Sequence, residues 1–401
     1  MNNFRYIVIL LTICTAFISC EREDSRRYPV EESGRPIRFT TESEWPDITK
    51  APITGLGDLL DDGFRVWGAW AKDPDDKSYF VGDYASGTNG SVFGYAGTAV
   101  NAVDENGDDV FDPNEGGDCW AYDNVRDWYR GYYSFAAVLP NSLFEDGTIS
   151  SASLSSSFSK ETSADNEENV TITYENTLTI NFPGAGFKLL EDEYRDINGI
   201  DLSASLPYTH YKDLMFAFQT EDNSDDGSEN VSLNFTHAFS LLGIRLMAEN
   251  PDNMPYVTRV TLYGIRKSAE SLTFTHDTTV ENYKTTESET TTVESVTVAG
   301  ELSTERDYFA RFEMPEGHFE NDATRDDMTL VRNLVVFPTS LQETPLLIKL
   351  EYKKVRVDEN DTIIVVGEGE YTIEVNNGNW QPGNSYTLAF PVDDANFNEI
   401  Q

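Results

Sequence analysis

VTITYENTLTINF, residues 170–182, places Leu178, Ile180 and Phe182 on one side and Thr177, Thr179 and Asn181 on the other. A two-residue period rich in threonine and β-branched residues predicts a strand with one buried face and one wet face. FRVWGAWA (64–71) behaves similarly, with Phe64, Val66 and Trp70 on one face and Arg65 and Trp67 on the other. Comparable runs follow at KDLMFAF (212–218), VSLNF (231–235), LGIRLMAE (242–249), YVTRVTLYGI (256–265) and LVVFP (334–338). Three more, LLIKLEYKKVRV (346–357), TIIVVGEGEYTIEV (362–375) and SYTLAFPV (385–392), close the chain. Helical periodicity is scarce: TGLGDLLDD (54–62) and CWAYDNVRDWY (119–129) offer a turn or two each. Many short strands separated by turn residues predict an all-β chain of antiparallel β-sandwiches.

The polar stretch EDNSDDGSEN (221–230) has no apolar side chain and lies between two strand-like runs, so it reads as the linker between two domains. The expected organisation is a leader at 1–19, a tether at 20–35, an N-terminal sandwich at 36–220 and a C-terminal sandwich at 231–401. Residues 150–169 and 276–296 read as long hairpin loops, the second also compatible with a twisted edge hairpin.

The beginning of the chain reads as an export signal. Arg5 precedes an apolar run, Ile7 to Ile18, that is too short to span a bilayer. FISCERED (17–24) follows, with Ser19 immediately before Cys20. Bulky Phe17 at the third position before the cut disfavours an ordinary signal, and a cysteine just after it suits lipidation of Cys20. With Cys14 removed and Cys20 lipidated, only Cys119 remains, and no intrachain disulfide is expected. The outer membrane and cell surface are the expected location.

Charge excludes one class of partner. With 29 basic against 70 acidic side chains and a net charge of −41, nucleic acid is not an expected ligand. The four histidines are widely spaced, so no transition-metal site and no cofactor are expected. The acidic loop DENGDDVFDPNEGGD (104–118) has Gly107 at the wrong position for an EF-hand and reads as a solvated turn. His237 continues the apolar phase of Val231, Leu233 and Phe235, which marks it as a buried, hydrogen-bonded structural histidine followed by a bend near Ala238–Ser240. No nucleophile elbow or glycine-rich phosphate loop is present, and no enzyme activity is expected. Five of the six tryptophans lie in the first third; Trp67 and Trp120 are candidates for stacking on a glycan.

Several separated segments together resemble the fimbrillin-like (Mfa-like) family of pilus-associated outer-membrane lipoproteins. They are the lipoprotein signal, the first strand IRFTT (37–41), TKAPITGLGDLLDDGFRVWGAWA (49–71), YYSFAAVLP (132–140), KDLMFAF with VSLNFTHAFSLLGIRL (231–246), and WQPGNSYTLAF (380–390). The resemblance implies two tandem transthyretin-like antiparallel β-sandwich domains. It also implies a pilus component that joins other subunits by strand exchange, after proteolysis removes the first strand and opens a groove. The processing site would lie between Lys50 and Ala51, where the family has Arg in place of Lys50; Arg38 is an alternative cut. Only VDDANFNEIQ (392–401) follows the last strand, a short donor, so an accessory, tip or anchor subunit is expected more than a bulk shaft subunit. Thr278 in DTT and Thr362 in DTI resemble O-glycosylation acceptors. A host protein or glycan is the expected ligand of an adhesive member. The alternative reading is a glycan-binding surface lipoprotein that uses Trp67 and Trp120.

Overall fold

The computed structural model describes residues 35–41, 62–72, 78–79, 90–103, 119–163, 170–198, 213–223, 230–248, 256–283, 288–313, 327–357 and 363–392. Strands of four or more residues are numbered in chain order. The first seven are β1 (Arg38–Thr41), β2 (Phe64–Ala71), β3 (Thr98–Val103), β4 (Tyr132–Leu139), β5 (Ser151–Thr162), β6 (Val170–Asn181) and β7 (Met215–Asp222). Next come β8 (Asn230–Leu233), β9 (Ser240–Ala248), β10 (Tyr256–Tyr263), β11 (Ser271–Glu281), β12 (Glu289–Ala299) and β13 (Ala310–Glu313). The last are β14 (Asp327–Val336), β15 (Leu346–Val357), β16 (Ile363–Val375) and β17 (Ser385–Val392). The chain is all-β; Ser142–Glu145 makes a single turn of α-helix.

Two sheets carry the first half of the sequence. One has the order Thr236–His237, β7, β4, β2, β3, Cys119–Ala121, with Gly90–Ser91 on β2. The other runs β12, β11, β6, β5, Ser78–Tyr79. β4 is buried along its whole length because its sheet is covered on both sides. Tyr133, Phe135, Ala137 and Leu139 join a cluster with Phe64, Val66 and Trp70. Ala136 and Val138 face the opposite way, into a core shared with Trp67, Leu178 and Ile180. A strand buried on both faces loses the alternation of a half-wet strand, which explains the continuous apolar run YYSFAAVL.

The remaining strands form the order Asp196–Asn198, β13, β10, β15, β16 and the three-stranded sheet β14, β9, β17. Parallel pairs interrupt the antiparallel pattern expected from sequence: β1 with β8, β9 with β17, and Asp196–Asn198 with β13. β7 extends to Asp222 and β8 begins at Asn230, so strands enter both ends of the acidic stretch read as a linker. Strands from either side of that stretch share sheets, as in β6 with β11, and one buried cluster runs from Trp67 to Trp380.

Several local readings are corrected. Residues 151–162 are not loop: serine-rich β5 pairs with β6 over its full length, and Ala152 and Phe158 are buried. Cross-strand pairing and burial of alternate residues override the weak β-propensity of serine. Within 276–296 the edge-hairpin reading holds, since β11 pairs with β12 from Ser271↔Ala299 to Glu281↔Glu289. The stretch 119–129 starts as a strand, Cys119–Ala121 on β3, and contains no helix. Cys119 opens the short strand Cys119–Ala121.

Candidate functional site

β1 is four residues long, yet it fills a gap between two neighbours. From Arg38↔Asn230 to Thr41↔Leu233 it runs parallel to β8. Just before it, the Ile37 amide donates to the Arg126 carbonyl at 2.7 Å, and the Trp128 amide donates to the Arg35 carbonyl at 2.7 Å. Pro36 and Asp127 form the bridge between those two bonds. The segment 35–41 therefore lies against residues 126–128 at one end and against β8 at the other.

Alternation turns Ile37 and Phe39 inward, where they are 1% and 3% exposed, while Arg38 faces solvent. The Phe39 ring lies 6.0 Å from Phe64, 5.9 Å from Phe93, 5.7 Å from Tyr122 and 6.1 Å from Phe135, all edge-on but the tilted Phe93. Fully burying side chains of this kind stabilises by about 1.5–3 kcal/mol each. One such anchor on the four-residue strand and one immediately before it mean that apolar side chains, more than its few ladder bonds, hold it in place.

A second set of contacts clamps the backbone. The Tyr122 hydroxyl donates to the Ile37 carbonyl at 2.8 Å and accepts from the Arg126 amide at 3.2 Å. Burial pushes the Tyr122 phenol up to about 12, with the Arg126 hydrogen bond opposing the shift, so the hydroxyl remains a donor at ordinary pH. Downstream, the Tyr133 hydroxyl accepts from the Tyr129 amide at 2.8 Å and donates to the Tyr129 carbonyl at 2.9 Å, and Asn223 donates to the same carbonyl. Gly131 closes this segment with φ +145, and a Cβ there would lie 2.4 Å from the Ala71 carbonyl oxygen and 2.5 Å from Trp70 Nε1. Gly131→Ala is expected to cost about 1–3 kcal/mol through backbone strain and collision, read as a lower urea midpoint with an unchanged m value.

The junction between β7 and β9 contains the histidine singled out from sequence. His237 Nδ1 lies 2.9 Å from Asp213 Oδ2, and both side chains are buried. The other Asp213 oxygen accepts from the Leu214 amide at 2.9 Å. After His237 the chain bends at Ala238–Phe239 and re-enters a different sheet as β9. WQPGNSYTLAF backs this bend. Gly383 turns with φ +70 and donates its amide to the Phe239 carbonyl. The Tyr386 hydroxyl accepts from the Gln381 amide at 2.9 Å, and buried Trp380 lies beside the Tyr386 ring. The segment thus seats β17 in parallel beside β9.

The other residues singled out from sequence do not gather at one place. Cys20, Lys50, Ala51, Thr362 and the acidic loop 104–118 lie outside the described residues. Trp67 and Trp120 are 2% and 4% exposed, so the glycan-stacking reading is corrected. Trp67 belongs to the core between the two large sheets, and Trp120 packs against Phe64 at 5.2 Å. Neither ring offers an open face. Thr278 is 6% exposed in the middle of β11, between β6 and β12, which corrects its reading as a glycan acceptor in the folded chain. Among the described residues no group of three or more His, Cys, Asp or Glu could hold a metal, and no helix is long and apolar enough to cross a membrane.

Residues 209–401 match the model of the fimbrillin-like family. Comparison with curated protein sequences gave no match. Among solved structures, the chain is similar to a fimbrial protein from Bacteroides vulgatus at 13% identity and TM-score 0.39, covering 92% of this chain and 96% of that one. It is also similar to the fimbrial anchor protein Mfa2 from Porphyromonas gingivalis at 9% identity and TM-score 0.25, covering 86% of this chain and 100% of that one. Neither superposition bears on the role of any residue.

Proposed function

We propose, from the premise that residues 209–401 of this chain belong to the fimbrillin-like family, that the protein is a structural subunit of a surface fimbria. It joins a neighbouring subunit through the slot now filled by β1. The observation that supports this reading is the seat of β1 itself: a four-residue strand near the chain's start, held by Ile37 and Phe39 in an aromatic cavity. Loss of β1 would leave the backbone of β8 and the apolar cavity open together, which is the pairing of main-chain and side-chain sites that strand addition requires. The role is structural and not catalytic, with an accessory, tip or anchor position favoured over the shaft.

The anchor and the cut complete the proposal. Cys20 carries the lipid, and cleavage between Lys50 and Ala51 releases it together with β1. Arg38 is a poor alternative cut, because its backbone is already paired with Asn230 and a protease needs an extended, free segment.

Intact-mass analysis of the protein from its own outer membrane, beside a Cys20→Ala variant, tests these steps. A lipidated chain beginning at Cys20, or a shortened chain beginning at Ala51, is the expected result. An unlipidated chain that begins elsewhere and keeps β1 would overturn the proposal.

A further inference from the structure

The longest open sheet edge in the described residues is β16. It has 13 residues, about 43 Å of strand, and its sequence IIVVGEGEYTIEV contains neither Lys nor Pro, the residues that usually protect such edges. Among the described residues it pairs only with β15. A bulge opposite Lys354 and Val355 bends its first residues, where Ile364, Val365 and Val366 are 38%, 47% and 58% exposed. From there to Val375 the register with β15 is unbroken.

One ladder across this sheet has an incomplete charge sequence. Glu313 pairs with Arg259, Arg259 with Glu351, and Glu351 with Glu370, so the row reads acid, base, acid, acid and then stops at the open edge. The inner part is fully made: Arg259 bonds Glu313 and holds both Glu351 oxygens at 2.9 and 2.8 Å. Like charges directly opposite are unfavourable. Glu370 is relieved only diagonally, by Lys349 at 2.9 Å, and remains 62% exposed. Glu368, Thr372 and Glu374 continue the same outward face and are also exposed. On the other face Gly369 carries no side chain; a Cβ there would lie 2.7 Å from the Tyr352 hydroxyl. Gly369 thus leaves room for the side chain of its cross-strand neighbour Tyr352.

We propose that the open edge of β16 receives an extended segment of a second, different polypeptide that bears Lys or Arg at alternate positions and apolar residues between them. The cations would continue the row at Glu370 and Glu374. The apolar residues would cover the strip between Gly367 and Val375 and the exposed Ile364–Val366 end. A second copy of this chain is disfavoured by its net charge of −41, and the chain's own residues 393–401 contain acids and no cation. This inference is independent of β1 and of the fate of the first strand.

The test uses the full chain and a short fluorescein-labelled peptide alternating lysine and valine, with a glutamate–valine counterpart, read by fluorescence anisotropy. The lysine peptide should bind saturably. Glu370→Lys with Glu374→Lys should weaken it about tenfold and create binding of the glutamate peptide. Glu281→Lys with Glu289→Lys makes the same charge change at an exposed pair elsewhere and should leave affinity within about twofold. No saturable binding, or equal weakening in both double variants, would overturn the proposal, the latter by showing diffuse attraction to an acidic chain. Amide exchange on the unmodified chain gives a second readout. Added peptide should slow exchange in 366–375, and slowing elsewhere with none there would also overturn it.

Discussion

Replacing Phe39 with alanine is expected to destabilise the protein by about 3–5 kcal/mol, the range for removing a buried phenylalanine. The ring has four aromatic neighbours within 6.1 Å, on Phe64, Phe93, Tyr122 and Phe135, and three of those partners also pack on one another. Phe64 and Phe135 sit on β2 and β4, which are buried on both faces, so the cavity cannot easily collapse, and the cost should lie towards the upper end. Arg38→Ala, one residue away on the solvent side, should stay within about 0.5 kcal/mol. Urea unfolding checks both. Equal effects at the two positions would mean that β1 is held by its backbone and not by its anchors.

The second large effect is expected at Asp213. Its side chain bonds His237 and the Leu214 amide in a buried setting, so Asp213→Ala leaves two groups without their partner. A loss of about 2–4 kcal/mol follows. His237→Ala should cost less on its own, because Asp213 keeps its bond to Leu214. In a double-mutant cycle the two losses should fall well short of additive, since both remove the same contact. Additive losses would show that the pair is incidental to the bend that leads into β9.

How much of this was legible in the sequence depended on whether a strand has one wet face. β6 was readable because Thr171, Thr173, Thr177 and Thr179 mark the partly exposed positions beside buried Ile172, Tyr174, Leu178 and Ile180. β15, β16 and β17 were readable for the same reason. Trp67 was misread because β2 is covered on both sides, so the face opposite Phe64 and Val66 is a second core and not solvent. Serine-rich β5 was misread because its partners supply the reason for its conformation, and serine itself does not. His237 was legible from phase alone, but its partner Asp213 was not, since a cross-chain contact leaves no periodic trace. The seat of β1 was hidden for the same reason. Nothing local to residues 37–41 names residues 126–128 or 230–233 as its neighbours, and a parallel pair has no hairpin turn to announce it.

Peptide capture by a chain reduced to residues 51–401 tests the central claim most directly. A labelled peptide of residues 35–41, RPIRFTT, is titrated into that chain, beside the same peptide with alanine at Phe39. The expected result is saturable binding of the first and at least tenfold weaker binding of the second, about 1.4 kcal/mol or more, with the captured peptide raising the urea midpoint. A shortened chain that binds neither peptide, yet unfolds at the same midpoint as the full chain, would contradict the account: β1 would then be an ornament on the fold and its slot no site of assembly.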